Sequence, residues 1–274
     1  MERIIKRVMH QNRGYIREPT REPTFLCSFP KSGRTWLRFI LGNYFNQTFD
    51  LGLTVDLHTL FYILPNYEDN PERGPKAYRY LGQKQIPFIL SSHSEYRDEF
   101  VNRDVIFMVR MIYDVLPSLY FQRSKHLKKY NGDLKEFIRD PERGVGRLMR
   151  YLNSWSGHLA DTRSTILTYE ELHENTSGAV SRVLSFLGLT TDEKLLRDAI
   201  ERSSFTKMQE IELKKGIAGH EYDRGDPNSR RMREGMVGGY HKHLDASDQE
   251  YIRRECNATA TPETGRLMSK FQLL

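Results

Sequence analysis

The stretch SFPKSGRTWLRFIL, residues 28–41, limits the possible folds of this chain more than any other. The run TFLCSF (24–29) is short, β-rich and bounded by Pro23 and Pro30, which is the pattern of a buried strand. Residues 35–45 then place Trp36, Leu37, Phe39, Ile40, Leu41 and Tyr44 at largely helical spacing. A strand that turns this tightly into a helix belongs to a layered α/β fold. The turn itself, PKSGRTW, offers backbone N–H groups, the hydroxyls of Ser32 and Thr35, and a helix N-terminus, which together suit an anion. Lys31 adds a mobile charge. A nucleotide triphosphatase loop, G-x-x-x-x-G-K-[ST], sets its lysine after the second glycine and its hydroxyl on magnesium, whereas Lys31 precedes the lone Gly33. Seven residues alone leave a structural turn as the competing reading.

The same device recurs. IPFILSSH (86–93) and DVIFMVR (104–110) are apolar runs with polar ends, the second leading into a helical pattern over 113–129. STILTYEEL precedes a helix predicted over 171–187 and closed by Gly188. Alternating strands and helices predict a three-layer, P-loop-like α/β fold with a central, mainly parallel sheet flanked by helices. Ligands of such sheets bind beyond the carboxyl ends of the strands. Lys31 with Ser32, His93, Arg110 and Tyr169 are therefore expected along one edge.

Composition bounds the rest. With 38% hydrophobic and 11% aromatic residues and no linker-like break, the 274 residues read as one domain, 1–274. No run approaches the roughly 18 apolar residues of a membrane helix, and the first 23 residues do not resemble a secretory signal. Cys27 and Cys256 are far apart, without zinc or redox spacing. A cytoplasmic location is the expectation, with neither membrane nor nucleic-acid partner. The 42 Lys+Arg against 36 Asp+Glu give +6, a balance that suits an anionic ligand, although the charges are interspersed as on a solvated surface. The segment 214–243 is rich in Gly and charge and lacks an apolar period, so a mobile lid is expected over 214–240. Arg230, Arg231 and Arg233 beside Gly235, Gly238 and Gly239 could make it a phosphate clamp or a solvated loop.

The string P-K-S-G-x-T-W resembles the 5′-phosphosulfate loop of sulfotransferases that use 3′-phosphoadenosine 5′-phosphosulfate (PAPS), and further segments match that family in order. FMVRMIYDVLPSLYF is similar to its 3′-phosphate motif, which implicates Arg110 and, eight residues on, Ser118. ILSSHSEY resembles the strand end that carries the catalytic histidine, here His93, and ILTYEEL the segment whose tyrosine lies near the adenine, here Tyr169. SSFTKM resembles a nucleotide-binding element and implicates Ser203, Ser204 and Phe205, with Met208 closing the pattern. RREGMVGGY resembles the family's R-K-G-x-x-G-D-W, which gives Arg233 and Gly235. The chain departs from the family where many cytosolic members carry lysine two residues before the histidine (Ser91), and at the lid lysine (Glu234), aspartate (Gly239) and tryptophan (Tyr240). Glu234 would repel a 3′-phosphate unless it points outward and Arg230 or Arg231 supplies the charge. Arg34 stands where many relatives have a small hydroxyl residue.

The resemblance implies a PAPS-dependent enzyme of the cytosolic type, with PAPS as donor, 3′-phosphoadenosine 5′-phosphate (PAP) as product and no metal. It implies Lys31 at the departing phosphate oxygen and His93 as general base. Lys31, Ser32, Gly33, Arg34, Thr35, Trp36, Arg110, Ser118, Tyr169, Ser204, Phe205, Arg233 and Gly235 would hold the nucleotide, with Trp36 and Phe205 as an adenine platform. The acceptor expected is a small molecule, sulfated on a hydroxyl or, alternatively, an amine, and the compact length points toward a bacterial tailoring enzyme. Aromatic-rich loops at 55–70 and 74–84 could wall its pocket. Read from the residues alone, a nucleotide-dependent kinase with an atypical phosphate loop and a non-catalytic nucleotide-binding protein stay open.

Overall fold

The computed structural model describes residues 22–274 apart from 81, 84 and 161. Four parallel strands, β1 (Thr24–Ser28), β2 (Ile89–Ser92), β3 (Val105–Val109) and β4 (Ser164–Thr168), form one sheet in the order β2-β1-β3-β4. Residues of one strand alternate between its faces. Phe25, Cys27, Val105 and Phe107 accordingly enter one core, while Leu26, Ile106, Met108 and Leu167 enter another. Both faces are covered, so the strands read as continuous apolar runs.

Helix α1 (Arg34–Thr48) follows β1 and packs Leu37, Ile40, Leu41 and Tyr44 into the second core. A four-residue turn of helix, α2 (Leu60–Ile63), joins it there. On the other face, α3 (Ile112–Phe121), which follows β3, α4 (Leu134–Arg139) and α5 (Val145–Ser156) all enter the first core, where Trp155 of α5 is fully buried. After β4 come α6 (Tyr169–Glu174), α7 (Thr176–Phe186), α8 (Glu193–Arg202) and α9 (Phe205–Lys215), and the described chain closes with α10 (Ala246–Thr259) and α11 (Pro262–Phe271). The three-layer arrangement is the one expected. Among the described residues, no helix is long and apolar enough to cross a membrane.

Two expected helices are interrupted. That over 171–187 breaks at Asn175, whose backbone leaves the helical region and whose side chain caps α7 by accepting from Gly178 N–H at 3.0 Å. That over 113–129 gives way after Phe121 to a wider π turn, Gln122–His126. Lys214 and Lys215, expected in the lid, end α9 instead.

Candidate active site

Each strand delivers one side chain to a single cleft: Lys31 after β1, His93 after β2, Arg110 after β3 and Tyr169 after β4. The strand order explains the place. From β1 the chain crosses to β2 on one side and then to β3 on the other, and the crevice opens where that direction reverses. The cleft holds about 1030 Å³, counting the part open to solvent.

The turn before α1 has unusual backbone. Lys31 adopts φ 74°, a left-handed conformation that costs a side-chain-bearing residue roughly 1–2 kcal/mol. Gly33 has φ 92°, and a Cβ there would lie 2.4 Å from the Tyr169 ring, so glycine is required. Among the described residues no side chain caps α1, which leaves its first-turn N–H groups without a capping acceptor beside the cleft-lining Thr35. Arg110 donates to the Lys31 carbonyl (3.3 Å) and the Met236 carbonyl (2.9 Å), and its guanidinium lies 4.1 Å over the Tyr169 ring. Its buried Nε has no hydrogen-bond partner among the described residues. Ser118, one helical segment further on α3, lines the same wall.

The segment after α9 is packed down over the site by two buried carboxylates. Glu212 accepts the N–H of Arg231 (2.6 Å) and Met232 (2.9 Å) and the Tyr222 hydroxyl (2.8 Å). Asp114 of α3 accepts the N–H of Gly238 and Tyr240, both at 2.9 Å. Arg233 faces the cleft with its guanidinium 4.2 Å over Phe121. Gly235 has φ 63° and approaches the Phe205 ring so closely that a Cβ would meet it at 2.2 Å. Glu234 does not point outward as the like-charge argument required: it lines the cleft, where Arg233 pairs with it and His243 Nε2 lies 3.2 Å from its Oε1. Arg230 turns away, onto the Arg224 and Gly225 carbonyls, and Arg231 is the neighbour that enters the cleft.

His93 is held in one tautomer. Its Nδ1–H donates to the Ser28 carbonyl at 2.7 Å, leaving Nε2 with a free lone pair at the cleft wall. Burial and the nearby Arg34 guanidinium hold its pKa well below the ordinary histidine range. Burial and Arg231 push Lys31 down to about 7, and burial lowers Arg231 to about 10. Five Lys or Arg side chains line the cleft against two carboxylates. Asp114 pairs with Arg110 (3.3 Å) and Glu234 with Arg233, which leaves Lys31, Arg34 and Arg231 without an ion-pair partner among the described residues.

Lys31, Gly33, Arg34, Thr35, Trp36, His93, Arg110, Ser118, Tyr169, Phe205, Arg233 and Gly235 thus meet in one cavity. Ser32 and Ser204 do not line it: the first is buried under the turn beside Met108, and the second is the residue before α9. Ser203 is structural, donating to the Ala199 carbonyl (2.7 Å) while its own carbonyl accepts the Trp36 indole N–H (3.0 Å). Trp36 packs 4.8 Å from His173 and 5.9 Å from Tyr169. Asp114, His173 and His243 also line the cleft and carry no sequence signal for the site. The run of three lid arginines gave a signal for Arg231 without telling it from its neighbours.

A parallel α/β sheet with an anion cradle, a fixed histidine and surplus arginines defines a group-transfer site for an anionic substrate. The family model described as "Sulfotransferase domain" matches residues 21–272. The chain belongs to the sulfotransferase family. Among curated relatives it is 25% identical to sulfotransferase 1E1 of Bos taurus (82% of this chain, 79% of that protein) and 24% identical to sulfotransferase 2A6 of Mus musculus (84% and 81%). Among solved structures it resembles a mouse sulfotransferase complexed with PAP (TM-score 0.63, 18% identity, 92% of this chain and 88% of that one). It also resembles a retinol dehydratase in complex with androsterone and inactive cofactor PAP (TM-score 0.61, 17% identity, 86% and 80%).

Proposed function

We propose that this enzyme transfers the sulfuryl group of PAPS to a hydroxyl of a small molecule. The observation that carries the reading is the meeting of Lys31, the uncapped N-terminus of α1 and the fixed lone pair of His93 in one cleft. Relatives of this fold bind PAP, and the residues here fit such a ligand. Arg110 offers a buried Nε without a partner for a phosphate, with Ser118 and Arg233 on the same wall. Lys31, Thr35 and the α1 amides suit the other phosphate end. Trp36, Tyr169 and Phe205 supply the aromatic faces for the base.

PAPS supplies a sulfuryl group on a phosphate leaving group. His93 Nε2 takes the acceptor's proton, with Nδ1–H on Ser28 stabilising the imidazolium that forms. Lys31 places a compact ammonium where negative charge grows as the S–O bond to phosphate breaks. The lid, held by Glu212 and Asp114, keeps water from the reacting atoms. The test is transfer of labelled sulfate from PAPS to a panel of alcohols, phenols and amines, with PAP protection against melting. His93→Ala is expected to lower kcat about 10²- to 10⁴-fold, the usual worth of a general base, with PAP binding retained. Unaltered turnover in that variant would remove His93 from the mechanism.

A further inference from the structure

Resting on that reading, we propose that the acceptor is itself an anion: a hydroxyl compound whose carboxylate or phosphate ester is bound by Arg34 and Arg231 while its hydroxyl faces His93. Arg34 is only 7% exposed, lines the cleft and leaves its buried Nη1 without a hydrogen-bond partner among the described residues. Arg231 lines the same cleft, fixed in place by its main-chain bond to Glu212. Neither has a carboxylate within ion-pair distance among the described residues, and a buried unpaired cation costs several kcal/mol unless an anion comes to it.

The neighbouring carboxylates act on the pair only from beyond ion-pair distance, Glu68 on Arg34 and Glu212 on Arg231. Glu68 spends one oxygen on the Ser92 hydroxyl (3.1 Å) and the His93 amide (3.2 Å), and Glu212 is committed to the lid backbone and Tyr222. Two further arginines stand behind and rest on neutral acceptors: Arg38 on Asn66 (2.9 Å) and the Leu64 carbonyl, Arg73 on His220 Nε2 (2.5 Å). On the proposed reading Lys31, Thr35, Arg110, Ser118 and Arg233 meet the donor's phosphates, which leaves Arg34 over, while Arg231, the charge that acts most on Lys31 and one that also acts on His93, stands between donor and acceptor. On this proposal Arg34, which the family resemblance puts on the nucleotide, belongs to the acceptor end. It is the charge that acts most on His93, whereas the charges that act on Lys31 are Arg231, Glu212, Arg110 and Arg233. Guanidinium forks match the planar, two-oxygen face of a carboxylate or phosphate.

The test compares matched acceptors that differ in one anionic group, with PAPS as donor: 4-hydroxybenzoate with its methyl ester, 3-hydroxybutyrate with its methyl ester, and glycerol 3-phosphate with glycerol. The charged member of at least one pair is expected to have a tenfold or greater advantage in kcat/KM, and the pair concerned distinguishes carboxylate from phosphate. Arg34→Gln and, independently, Arg231→Gln should bring that ratio near one, mainly through KM of the charged member. Their Kd for PAP should move less than threefold. Equal or better use of the neutral members, an unchanged ratio in both variants, or loss of PAP affinity as large as the loss for the acid would each overturn the proposal. The protein·PAP complex titrated with the same pairs in a melting assay gives a readout without turnover, in which no larger shift for any charged member is again a refutation. PAP binding with sulfation of neutral alcohols alone would leave sulfuryl transfer standing and only the anionic acceptor refuted. A chain that neither binds PAP nor turns over PAPS refutes both.

Discussion

At the scale of single residues, Lys31 sets how the site answers to pH. Burial and Arg231 bring it to about 7 from the ordinary 10.5, so above neutrality the free protein carries it largely as the amine. A bound phosphate favours the ammonium. Binding therefore takes up a proton, and affinity falls as pH rises, by up to about tenfold per unit. PAP adds no slope of its own there, because phosphate monoesters lose their second proton near pH 6. His93 adds none either, since its depressed pKa keeps it neutral across the window. Calorimetric titration with PAP between pH 7.5 and 9.5 should show this decline in the wild type and a flat profile in Lys31→Arg, whose charge does not titrate. A flat wild-type profile would mean that Lys31 does not meet the phosphates. The sequence made this lysine, His93 and Arg110 legible because each ends a strand whose apolar run announces it. It could not disclose Arg34's orientation: a residue in the first turn of α1 can face solvent or cleft, and only the assembled fold, which buries Arg34 at the cleft, decides.

At the scale of elements, the sheet and its helices were legible because apolar runs of four to eight residues between turn residues encode buried strands. The lid was not, because its shape comes from carboxylates distant in sequence. Glu212 lies on α9 and Asp114 on α3, and each gathers two lid N–H groups. Nothing in the local pattern of 216–243 predicts those bonds. The same holds for His126, whose Nδ1–H donates to the Ser229 carbonyl at 2.7 Å across 103 residues. Glu212 is fully buried, and its oxygens accept three donors. Glu212→Gln removes the charge and turns an N–H₂ toward these donors, a loss on the order of 2–4 kcal/mol for charge-assisted bonds. Hydrogen exchange should quicken over 216–240 while the amides of β1 and β3 keep their protection, and PAP should bind at least tenfold more weakly. Uniform loss of protection through the sheet would instead make Glu212 a pillar of the whole fold, not a fastener of the lid. PAP should in turn slow exchange over 216–240 in the wild type, which is the behaviour of a lid that opens to admit its donor.

At the scale of the molecule, positive charge is concentrated in the cleft, where Arg34, Arg231 and the half-protonated Lys31 have no ion-pair partner among the described residues. Their mutual repulsion opposes folding and is relieved when an anion enters. Such a site is a place where stability and function conflict. Arg231→Met keeps the stem that packs beside Met232 and removes the charge, without touching the main-chain bond to Glu212. The free variant is therefore expected to be more stable than the wild type by about 1 kcal/mol at pH 7, at the lower end of what replacing buried charges with apolar side chains yields. The gain should shrink in 1 M salt, where the Debye length is about 3 Å, because screening already softens the repulsion in the wild type. With saturating PAP and a carboxylate acceptor present, the order should reverse, because only the wild type has the cation that the second anion binds. Chemical denaturation of both proteins at low and high salt, with and without these ligands, measures all three differences. A free Arg231→Met protein less stable than the wild type would show that the arginine is a structural member compensated from within the fold, and that the cleft is not charged in advance for its substrates.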